Sequence, residues 1–112
     1  MDNKTVYDSI IRNLFAQLAE LYDEPDSTIE TELSLDSVYG NYLLLEIGWD
    51  GNERIRRTIA YVRLRQGKVS VEIDWTEHGI APSLIEMGIP NSVIALGFNP
   101  PHLQPMREFA FA

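Results

Sequence analysis

Val6, Ile10, Ile11, Leu14, Leu18, Leu21 and Tyr22 recur at steps of three and four residues, which predicts an amphipathic helix from about residue 4 to 23. Thr5 followed by Asp8 fits a capping box, and Asp2 or Asn3 offers another start. Pro25 ends the run, since proline lacks the N–H and drives the preceding residue out of helical geometry. The period then falls to two. Ile29, Thr31, Leu33 and Leu35 alternate with Glu30, Glu32 and Ser34, as in a strand with one face buried. Tyr42–Trp49 is almost wholly apolar and reads as a central strand. Asp50-Gly51-Asn52 is a turn, and the segments 54–64 and 68–75 form a further pair joined at Gln66-Gly67.

Four strands in succession with short links predict an antiparallel meander. Thr76 is placed to cap a short helix over about 80–87, with Gly88 as its stop and Pro90 opening one more turn. Val93–Phe98 reads as a short strand or a buried extension. Pro100, Pro101 and Pro105 make the end irregular, while Phe109-Ala110-Phe111-Ala112 is apolar enough to dock. The expected architecture is α+β: a long N-terminal helix, a four-stranded antiparallel β-meander, a short C-terminal helix and a docked tail. Residues 1–112 form one domain, the size expected for a single core.

Charge modifies this picture more than composition does. The net charge is −8, which disfavours non-specific contact with a phosphate backbone. The charges are also segregated. Residues 13–53 contain no Lys or Arg, whereas 54–68 contain Arg54, Arg56, Arg57, Arg63, Arg65 and Lys68 and no acid. Cysteine is absent, which removes disulfides, thiolate metal ligands and thiol catalysis. No secretory signal and no membrane-spanning run is read, so a soluble cytoplasmic protein without membrane contact is expected.

Three groupings carry possible chemistry. Asp74, Glu77 and His78 at a strand-to-helix junction could hold a divalent cation with Asp50 or Asp36, as in a metal-dependent enzyme. The plainer reading has Asp74 ending the strand, Thr76 capping the helix and Glu77 favouring its positive end. On a regular strand Arg57, Arg63 and Arg65 share a side with Tyr61, a stripe able to meet phosphates and stack on bases, while Arg54 and Arg56 face the other way. The plainer reading is a solvated face paired with Glu46, Glu72 or Asp74. Trp49 and Trp75 serve equally as core or interface anchors. His78 and His102 have no neighbouring nucleophile, and no phosphate-cradling glycine loop is present. No catalytic, metal or cofactor-binding residue is therefore assigned, and no cofactor is expected.

The motifs also fall in a recognisable order: Tyr42-Leu43-Leu44-Leu45, Gly48-Trp49-Asp50-Gly51, Gly67-Lys68-Val69, Asp74-Trp75-Thr76-Glu77-His78-Gly79-Ile80-Ala81, Leu84-Ile85-Glu86-Met87-Gly88-Ile89-Pro90, Phe98-Asn99-Pro100-Pro101 and Glu108-Phe109-Ala110-Phe111-Ala112. Over essentially the whole chain this resembles the XisI family, the fdxN element excision controlling factors of cyanobacteria. Arg107 and Phe111 depart from the pattern, where threonine and valine are expected. The resemblance implies a non-enzymatic accessory protein in the DNA recombination of heterocyst differentiation. It implies a XisH-like protein as partner, with a site-specific recombinase nearby, and carries over no catalytic residue. Trp49, Asp50, Asp74, Thr76, Glu77 and Gly79 become the candidate partner-binding residues. Arg57, Tyr61, Arg63 and Arg65 are the alternative, direct contact with DNA, and homo-oligomerisation stays open.

Overall fold

The structure is a computed structural model and describes residues 3–99. The proposed docking of Phe109–Ala112 therefore lies outside the described residues, as does His102. Helix α1 spans Asn3–Tyr22, and strands follow at Ile29–Asp36 (β1), Asn41–Asp50 (β2), Glu53–Arg65 (β3) and Lys68–Asp74 (β4). A short helix α2 (Ile80–Glu86) and a 3₁₀ turn (Asn91–Val93) lead into β5, Ile94–Leu96.

The sheet has five strands in the order β1-β2-β3-β4-β5, and the last pair is parallel. This corrects the expected four-stranded antiparallel meander. A parallel neighbour needs a crossover, and α2 supplies it. The short-strand reading of Val93–Phe98 is met by Ile94–Leu96, although three residues are too few for a period of two to show that the strand joins the sheet.

Both helices lie on one face. Tyr7, Ile11, Leu14 and Phe15 of α1 and Ile80, Ala81 and Leu84 of α2 share a core with Tyr42, Leu44, Val62, Leu64, Val69, Val71 and Ile94 from the strands. Asp8 does not cap the helix in the way its spacing with Thr5 suggests. Its carboxylate instead accepts a hydrogen bond from the phenol of Tyr42, at 2.5 Å. Tyr42 is fully buried, and burial followed by this bond pushes its ionisation well above the ordinary value. The folded value exceeds the unfolded one, so the stability from this group is whole below pH 10 and is lost as pH rises above it. Tyr42→Phe is expected to cost about 1–2 kcal/mol by leaving Asp8 without its donor. Urea melts at neutral pH measure that loss, and the variant's alkaline loss of stability should be shallower than the parent's.

Two bulges set which side chains reach which face. Leu44 pairs with Ala60 but Leu45 with Thr58, leaving Ile59 as an extra residue on β3. Val62 pairs with Val71 but Tyr61 with Ile73, leaving Glu72 extra on β4. Each extra residue inverts the alternation beyond it. As a result Asp74 comes level with Ala60 on the helix-covered face.

Candidate functional site

Asp74 is the anchor of the β4–α2 junction. Its Oδ1 accepts from the Thr76 backbone N–H at 3.0 Å and from the Thr76 hydroxyl at 2.5 Å. Its Oδ2 accepts from the Ile80 N–H at 2.7 Å. The first N–H of α2 is thus satisfied by Asp74 from six residues upstream, and not by Thr76. The N-cap position belongs to Gly79, which has φ 97° and no side-chain capping bond. That conformation is in the region open to glycine, and an added Cβ would press on the Pro82 ring at 3.1 Å. Asp74, Thr76 and Gly79 therefore build the turn between them. The bulge that aims Asp74 inward had no counterpart in the local sequence pattern.

What the turn leaves outside is chemically different. Trp75 is 76% exposed and Leu21, at the end of α1, is 79% exposed. Between the end of α1 and residues 76–83 lies an open cleft of about 610 Å³, with Leu18, Leu21, Tyr22 and Ile80 among its lining and Glu77 and His78 at its edge. His78 Nε2 lies 2.7 Å from Glu86 Oε2 on this exposed edge. The ionisation of Tyr22 is raised, first by burial and then by the negative charges of Asp74, Glu46 and Glu77. The cleft thus joins an apolar floor to an acidic surround.

Trp49 and Asp50 are elsewhere. They sit at the far tip of the β2–β3 hairpin, Asp50 being six residues beyond Leu44, or roughly 20 Å along the strand. The guanidinium of Arg54 lies over the Trp49 ring, 5.1 Å from its centre. The six candidate partner-binding residues therefore form two groups: Thr76, Glu77 and Gly79 line the cleft with Asp74 bonded to Thr76 in the turn, and Trp49 and Asp50 lie apart.

The basic stripe is also broken. Because Ile59 is an extra residue, Arg57 falls on the face opposite Tyr61, Arg63 and Arg65, whereas Arg54 and Arg56, expected on the other side, share the face of Tyr61, Arg63 and Arg65. It pairs with Glu46 at 2.8 Å. Arg65 is held by the Gly40 carbonyl at 2.6 Å and by Asn41 Oδ1 at 2.9 Å, and the Tyr61 hydroxyl also reaches Asn41 Oδ1, at 3.3 Å. As for a metal shell, Asp74 uses both oxygens within the turn. Among the described residues no three His, Asp or Glu side chains converge on a point that could hold an ion. No helix among those residues is long and apolar enough to cross a membrane.

A mixed five-stranded sheet with helices on one face and an open, largely apolar cleft beside the β4–α2 turn defines a small α+β protein. The family model described as XisI protein matches residues 1–111, and the chain belongs to the XisI family. It is similar to the fdxN element excision controlling factor XisI of Anabaena variabilis ATCC 29413, with 32% identity and a TM-score of 0.87, over 99% of this chain and 100% of that one. It is also similar to a XisI-like protein from the same organism, with 27% identity and a TM-score of 0.90, over 97% of this chain and 99% of the other. No protein with a curated description matches.

Proposed function

We propose that this chain is a non-enzymatic accessory protein of DNA-element excision, and that it works by holding a basic protein partner of the XisH type in the cleft between α1 and residues 76–83. Family membership and similarity to an excision controlling factor support the process. The observation that carries the binding mode is the division of labour at the turn. Asp74 and Thr76 are consumed by hydrogen bonds within it, while Leu21 stands exposed in the cleft beside an acidic rim. Apolar anchors ringed by one sign of charge favour a partner segment of the opposite sign, and a DNA-directed protein supplies such segments.

Leu21 and Glu77 both line the cleft and are exposed, so replacing them leaves the core intact. Leu21→Asp and Glu77→Lys are each expected to weaken capture of a XisH-type protein by roughly tenfold to a hundredfold. Titration calorimetry with the purified partner measures this, with circular dichroism to verify folding. Unchanged affinity in both variants would remove the cleft from the interface.

A further inference from the structure

The face of the sheet away from the helices carries a pattern that the cleft does not use. Leu43, Leu45, Ile47 and Trp49 run down its middle on β2, and among the described residues no helix covers them. On one side, β1 places Glu32 level with Leu45 and Glu30 level with Ile47. On the other, β3 places Thr58 level with Leu45, Arg56 level with Ile47 and Arg54 level with Trp49. Glu30, Glu32 and Arg56 are exposed and have no side-chain partner among the described residues. Glu30 and Arg56 share a row but stand two strands apart, about 10 Å, with Ile47 between them.

An apolar stripe flanked by acid on one side and base on the other is self-complementary under one rotation. A two-fold axis in the plane of the face and along β2 lays the stripe of a second copy on the first and carries its β1 over β3. Glu30 of each copy then meets Arg56 of the other. An axis at right angles to β2 would set acid on acid. A tilt of about 15° from β2 gives the roughly 30° offset usual for aligned sheets. We infer that this face is the interface of a homodimer, with the Leu43–Leu45–Ile47 stripe at its centre and reciprocal Glu30–Arg56 pairs at its flanks. The cleft lies on the helix-covered face and stays open in each copy.

Glu30→Arg and Arg56→Glu test the arrangement directly, because both positions are exposed and unpaired among the described residues. Sedimentation equilibrium of the full chain is expected to show a dimer. Each single variant places two like-charge pairs in a symmetric interface and should weaken dimerisation at least about tenfold. Mixing the two variants should restore association as a heterodimer, since the swapped charges again face opposite ones. A chain that stays monomeric at every concentration overturns the inference; this includes the case where residues 100–112 cover the face. Single variants that dimerise like the parent, or a mixture that does not recover, overturn it equally.

Discussion

Gly48→Ala is expected to destabilise the protein by at least about 3 kcal/mol, read as a lowered urea midpoint with an unchanged slope. A methyl group at Gly48 would run into the backbone carbonyl of Thr28 and the Cα of Ile29, where the start of β1 lies against β2. Backbone cannot turn aside as the end of a side chain can. The approach is closed by two further contacts: Trp49 N–H donates to the Thr28 carbonyl at 3.3 Å, and the Thr28 hydroxyl donates to the Trp49 carbonyl at 2.5 Å. Relieving the overlap means lifting the first residues of β1 and giving up both. The glycine of the Gly-Trp-Asp-Gly motif is thereby explained by strand packing. A loss below about 1 kcal/mol would show that β1 is not seated there.

Asp74→Ala has the second large effect. The carboxylate accepts three hydrogen bonds, two of them from backbone N–H groups that nothing else among the described residues satisfies. Hydrogen bonds to a charged acceptor contribute about 1.5–3 kcal/mol each, less where water replaces the partner. With the turn half-buried, the expected loss is about 3 kcal/mol, or a fall of roughly 10 °C in melting temperature for a domain of this size. Asp74→Asn keeps an acceptor oxygen and should lose clearly less. The same alanine variant should weaken partner capture, because the turn that presents Glu77 to the cleft loosens. Retention of both stability and binding would contradict the role assigned to Asp74.

Elements with a long hydrophobic period were legible before any coordinates. The predicted helix and first four strands fall within a residue or two of α1 and β1–β4, since each is long enough for its period to dominate. Pro90 does open a further turn, at Asn91–Val93. Two of the failures share one physical origin. A bulge adds a residue without altering composition, and Thr58-Ile59-Ala60-Tyr61-Val62 contains nothing that marks Ile59 as the extra one. Reading β3 as regular therefore put Arg57 beside Tyr61 and Arg63, whereas it faces Glu46 on the other side. The second bulge likewise concealed that Asp74, not Thr76, holds the start of α2. The cleft itself was not foreseen. Leu21 read as one more apolar position on the helix, and only the docking of α1 shows that Leu18, Ala19 and Tyr22 pack inward and leave Leu21 bare.

The motif residues thus divide by task. Gly48, Asp74, Thr76 and Gly79 shape the backbone, and the surfaces they support, Leu21 with Glu77 at the cleft and the Leu43–Ile47 stripe on the far face, are left to meet other chains. That reading stands or falls on protein association. Co-expression of the full chain with a XisH-type protein, followed by gel filtration with light scattering, measures it most directly. A single complex of the two proteins that persists in moderate salt is the predicted result. Elution of the two as separate species, with the XisI-family chain unbound at concentrations well into the micromolar range, would contradict it.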